Sequence, residues 1–139
     1  MQQEDYIKRQ IDQIGIMLEK LFSVLLGLRA KGRESEEILQ VDNALSDTLN
    51  LNVDDLLAIA ADKLIETLQG DIKLTNQNLE ALAEILCLVA DDADSDKNDN
   101  SRKAKMYERS LIIYEYVNKV SSTYSLERHQ LIEKIKKAL

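Results

Sequence analysis

Seven aliphatic side chains, Ile7, Ile11, Ile14, Leu18, Leu21, Leu25 and Leu28, follow one another at alternating steps of four and three residues. A strand would scatter them over both faces, whereas an α-helix gathers them into one stripe, so the spacing predicts a helix from about residue 4 to 31. From Met17 onward the apolar face widens, because Met17, Phe22, Val24 and Leu26 add a second side to it. A helix apolar on more than one side needs cover on more than one side, from its own chain or from another subunit. Met17, Phe22, Val24 and Leu26 are therefore the candidate surface for a protein partner or for a homodimer formed through this helix.

The rest of the chain reads the same way. There is no proline among 139 residues and there are only four glycines, which disfavours turn-rich β folds and proline-rich disorder. The length suits one domain over 1–139, and 45% hydrophobic residues suffice for a core. Gly32 is placed to end the first helix. Ser35 is the expected N-cap of a second, with Glu36 and Glu37 in its first turn and Ile38, Val41 or Asp42, Leu45 and Leu49 on its buried stripe. Asn52 should cap a short third element opening with Asp54 and Asp55, and Asp62 can restart a fourth that stops at Gly70. Whether 53–69 is one helix or two stays open. Thr75 opens a fifth helix, Asn100 or Ser101 a sixth, and Ser125 a last one bearing Leu131, Ile132, Ile135 and Leu139. The expected fold is all-α, with six or seven helices in stacked antiparallel pairs.

Charge is unevenly spread within the net −7: residues 1–33 carry +2, 34–100 carry −14 and 101–139 carry +5. The basic end should fold beside the acidic middle of its own or a second chain. The block Arg102, Lys103, Lys105 and Arg109 would otherwise suit nucleic acid, but the acidic bulk argues against a phosphate partner. A lone Cys87 makes no intrachain disulfide, no apolar run is long enough to span a bilayer, and the first residues lack a secretory pattern. A cytoplasmic setting is the expectation.

Few residues group into chemistry. Asp94, Asp96 and Asn98 start like a calcium loop, but Asp99 stands where the turn needs glycine and Lys105 where a glutamate should close the site. His129 is the only histidine, which leaves zinc clusters, hydrolase triads and di-iron bundles short of parts. Glu34 and Glu37 form one ExxE, without the ExxD that magnesium pyrophosphatases add. Cys87 lies on an apolar face as an inert thiol. Tyr107 and Tyr114 read as core residues whose hydroxyls reach an edge, with Tyr116 and Tyr124 as exposed aromatics. No cofactor motif is present. The alternative to an interaction module is an acidic bundle holding a divalent metal or small ligand around Asp54, Asp55, Glu80 and Glu84.

Leu82-Ala83 through Ala90, followed by Tyr107-x-x-Ser110-Leu111-x-x-Tyr114, is similar to the interlocking helix pair of a tetratricopeptide repeat, as more faintly is Lys31-Gly32 with Ala44-Leu45. The pattern lacks the repeat's Trp, its Leu-Gly pair and its terminal proline. Through Asp5-Tyr6-Ile7-x-Arg9-x-Ile11, Leu49 to Leu57 and Leu79 to Ala90, the chain resembles an uncharacterised bacterial family of tetratricopeptide-like helical proteins. The resemblance implies a helix-pair fold and carries no activity with it.

Overall fold

In the computed structural model, which describes residues 2–93 and 100–139, the stripe forms α1 (Gln2–Ala30) and buries Ile14, Leu18, Leu21, Leu25 and Leu28. Gly32 takes the left-handed conformation (φ 70°), which lets the Arg33 N–H turn back to the Leu28 carbonyl at 2.8 Å and closes the helix. α2 (Glu37–Leu49) then returns antiparallel along α1. Ser35 is not its N-cap: the residue lies inside a 3₁₀ turn (Glu34–Glu36) that leads directly into α2, and no side chain caps either segment.

Asn52 does cap α3 (Val53–Ala58). Its Oδ1 accepts from the Asp55 N–H at 2.8 Å, and its own N–H donates to the Asp55 carboxylate at 3.1 Å, a reciprocal capping box. Extended backbone at Ile59 and Ala60 then divides 53–69 into two pieces. The second begins as a 3₁₀ turn (Ala61–Lys63), continues as α4 (Leu64–Glu66) and widens into a π turn over Thr67–Asp71. Gly70 lies inside that turn and does not stop it; the left-handed residue is Lys73 (φ 69°). The wider winding lets the Leu74 N–H reach the Leu68 carbonyl at 2.9 Å while both leucines stay buried.

Thr75 Oγ1 caps α5 (Asn76–Asp92) by accepting from the Asn78 N–H, and Ser125 Oγ caps α7 (Leu126–Ala138) by accepting from the Arg128 N–H, each at 3.1 Å. α6 (Asn100–Val120) lies between them in sequence. Among the described residues all regular structure is helical, and the molecule is an all-α bundle.

α5 is its axis. Every residue from Ile85 to Ala90 is buried, the mark of a helix covered all round. α1 lies parallel to it, with Gly15 beside Asn78 and Arg29 paired to Asp92; α6 runs antiparallel, with Ser110 against Ala83 and Lys103 reaching Ala93. α7 runs parallel to α5 through Arg128–Glu80 and Lys134–Asp91 pairs. α2 covers α1, and α3 and α4 lie along α6. No described helix is long and apolar enough to cross a membrane.

Candidate functional site

The four candidate residues of α1 do not form one patch. Met17 and Val24 line a groove of about 450 Å³ between α1 and α2, whereas Phe22 lines a groove of about 970 Å³ between α1 and α5. Met17 and Phe22 are half-buried against the core, while Val24 and Leu26 remain 43% and 42% exposed. The stripe of α1 sits between α2 and α5, so its widening splits toward opposite flanks. Ile16, 61% exposed, lines both grooves and escaped notice because it lies off the stripe.

The two grooves differ in chemistry. The α1/α2 groove has an apolar floor, with Met17, Leu21, Val24 and Ala44, and carries one base, Lys20, and one acid, Asp47. The α1/α5 groove carries three exposed carboxylates, Asp12, Glu19 and Glu84, and no base. It includes the opening turn of α5 and the buried Asn78, whose Nδ2 has no acceptor among the described residues. A methyl group on Gly15 would sit 3.3 Å from Asn78 Oδ1, so the bare glycine is what lets this amide lie against α1.

Of the four acids of the ligand-binding alternative, the bundle brings together only two. Glu80 and Glu84 share a pocket of about 110 Å³ with Glu127, Arg128 and Tyr114. Arg128 is buried, donating from Nε to Glu80 at 2.6 Å and from Nη1 to Asn118 at 3.4 Å. The Tyr114 hydroxyl is buried with no partner, contrary to the expectation that it would reach an edge. Desolvation, reinforced by neighbouring carboxylates, raises the pKa values of both Glu84 and Tyr114. Asp55 is occupied in the α3 capping box, and Asp54 pairs with Arg102 at 2.9 Å. Among the described residues no group of three or more His, Cys, Asp or Glu is arranged to hold a metal. The calcium-like loop Asp94, Asp96 and Asn98 lies outside the described residues.

A second buried polar cluster joins three helix ends. Glu37, on the inner face of α2, is almost fully buried and neither of its oxygens meets a donor. Its neighbour is Asp92, itself held by Arg29 through contacts of 2.8 to 3.0 Å. Desolvation first, then the Asp92 carboxylate, push Glu37 up to about 8, which favours the protonated carboxyl at neutral pH.

The basic block folds inward. Arg109 is buried and donates from Nη2 to the Leu57 and Ile59 carbonyls at 3.2 and 3.0 Å; Arg102 pairs with Asp54, Lys103 reaches the Ala93 carbonyl, and only Lys105 of the four is exposed. Cys87 is a buried free thiol, pushed up to about 11 by burial. His129 is exposed, its ring 6.3 Å from that of Tyr124. Tyr124 is exposed as expected, but Tyr116 is half-buried and donates its hydroxyl to Gln69 at 2.7 Å. Comparison with known protein families, with curated proteins and with solved structures finds no match for the chain.

Proposed function

We propose that the chain is a non-enzymatic protein-interaction module of a reducing, cytoplasmic compartment, engaging its partner through the flanks of α1. The observation that carries this reading is exposed aliphatic surface where two grooves meet: Ile16 lines both, and Val24 stands beside it on the α2 side. Apolar floors with polar rims are what partner segments bury against. The same reading takes the α5–α6 pair, in which Ser110 Oγ donates to the Ala83 carbonyl at 2.8 Å with both residues buried, as a tetratricopeptide-like helix pair.

A photo-crosslinking residue at Ile16 or Val24, irradiated in cells at native expression, should give a discrete adduct, and one at the exposed Lys137, in the last turn of α7, should not. Absence of any α1 adduct overturns the reading. Sedimentation equilibrium separates the homodimer form, which should revert to the 15.8 kDa monomer in Val24→Asp. Val24 serves better than Phe22 because Phe22 also packs on the core.

The small-ligand alternative draws its support from the unpartnered Tyr114 hydroxyl beside Glu80, Glu84 and Glu127. Calorimetric titration with magnesium, manganese and calcium should then give heat that Glu84→Gln abolishes; a flat titration removes the metal version.

A further inference from the structure

Resting on the reading of α1 as a contact surface, we infer that the α1/α5 groove takes an extended, basic peptide segment of a partner protein, one that alternates Lys or Arg with aliphatic residues. Three features of the groove select this occupant.

The first is charge. Asp12, Glu19 and Glu84 are exposed along the groove and no base accompanies them, whereas the α1/α2 groove balances Lys20 against Asp47. Three uncompensated carboxylates favour a cationic ligand and repel an acidic one.

The second is the kind of hydrogen bond on offer. Asn78 lines the groove, and its buried Nδ2 has no acceptor among the described residues. Beside it, Asn76 and Gln77 open α5, where backbone N–H groups have no intrahelical carbonyl to meet. A cluster of donors calls for free carbonyl acceptors. A helical ligand has bonded its own carbonyls internally, while an extended segment presents them. The α1/α2 groove is walled by mid-helix residues whose backbone amides are already bonded, so its donors are limited to the side chains of Gln13, Lys20, Gln40 and Asn43 and it has no helix opening.

The third is size and floor. The groove follows α1 from Ile11 to Ser23, a rise of about 18 Å. That length holds about five extended residues. Ile11, Phe22 and Ala81 supply apolar floor for alternate side chains, leaving the others to reach the acidic rim.

The test is selection of a random twelve-residue phage-displayed peptide library on the full chain, followed by fluorescence anisotropy with the leading peptide. Enriched sequences should alternate basic and aliphatic residues. Asp12→Lys combined with Glu19→Lys, both at exposed positions, should weaken Kd at least tenfold, and the charge reversal Glu133→Lys, exposed on α7, should leave it unchanged. Peptides that are acidic or uncharged, or a Kd indifferent to the double charge reversal, overturn the inference. Sensitivity to Val24→Asp alone would retain the interaction module while moving its site to the α1/α2 groove. Failure to enrich any peptide counts against the groove, and together with absent α1 adducts it removes both readings.

Discussion

Glu37 shows how one side chain can tie the ends of three helices and leave a signature in stability. Folded, its carboxyl holds a proton against Asp92, with Arg29 on the far side of that carboxylate and Glu34 adding repulsion. Unfolded, it would release the proton near the ordinary carboxylate value of about 4.3. Between there and about 8 the folded state therefore binds more proton than the unfolded one, and stability falls as pH rises. One such proton corresponds to about 1.4 kcal/mol per pH unit. Urea denaturation at pH 5.5, 6.5 and 7.5 should show the natural chain losing stability relative to Glu37→Gln by that slope, with the gap flattening above about pH 8. Parallel pH profiles would refute a proton retained on Glu37 in the folded state. The sequence pattern sets Glu37 in the first turn of α2 and starts the buried stripe at Ile38, whereas the folded face starts at Glu37 and continues through Val41 and Leu45. What covers that face depends on the end of α5, far away in sequence, and no local pattern announces it.

Among the elements, the short pieces between α2 and α5 depend most on contributions from outside themselves. α3 has only six residues, too few to stand alone. Its amino end is closed by its own Asn52–Asp55 box, but its carboxyl end is held by Arg109 of α6, which donates to two carbonyls. Arg109→Ala should cost about 2 kcal/mol, the scale for lost bonds from a charged donor, whereas Lys105→Ala should stay within about 0.5 kcal/mol. Thermal melts give the comparison, and faster amide exchange in α3 locates the damage. Equal effects of the two substitutions would deny Arg109 its capping role. Caps that use neighbouring residues were readable in the sequence: Gly32, Asn52, Thr75 and Ser125 all act where expected. Gly70 and Ser35 misled because tertiary burial of Leu68 and Leu74, and a 3₁₀ lead-in to α2, overrode local preference. The candidate surface was legible residue by residue but not as a surface, since the split of Met17 and Val24 from Phe22 is decided by which helices flank α1.

At the scale of the molecule, acidic and basic blocks meet as their separation along the chain implied. Arg102–Asp54, Arg128–Glu80 and Lys134–Asp91 each join the basic end to the acidic middle. These pairs orient helices, while cohesion comes from one continuous apolar core to which α1, α2, α3, α4, α5, α6 and α7 all contribute buried side chains. α1 and α6 cover α5 directly, while α2 packs on α1 and α3, α4 and α7 pack on α6, so every helix is tied into one core and the described bundle should unfold in one step. Cys87 reports this directly. It lies on the buried stretch of α5, with Lys134 of α7 and Tyr107 of α6 close to it, and its thiol stays protonated and shielded while the bundle is intact. In a guanidinium series, Cys87 labelling by a thiol reagent and loss of far-ultraviolet helicity should share one midpoint. Ile135→Ala, which empties a fully buried site on α7, should lower both midpoints together by an amount equivalent to about 2 to 5 kcal/mol. Labelling that precedes loss of helicity would mean that α7 opens on its own, and the pairs at Glu80 and Asp91 would then be a latch on a movable helix rather than part of a single core.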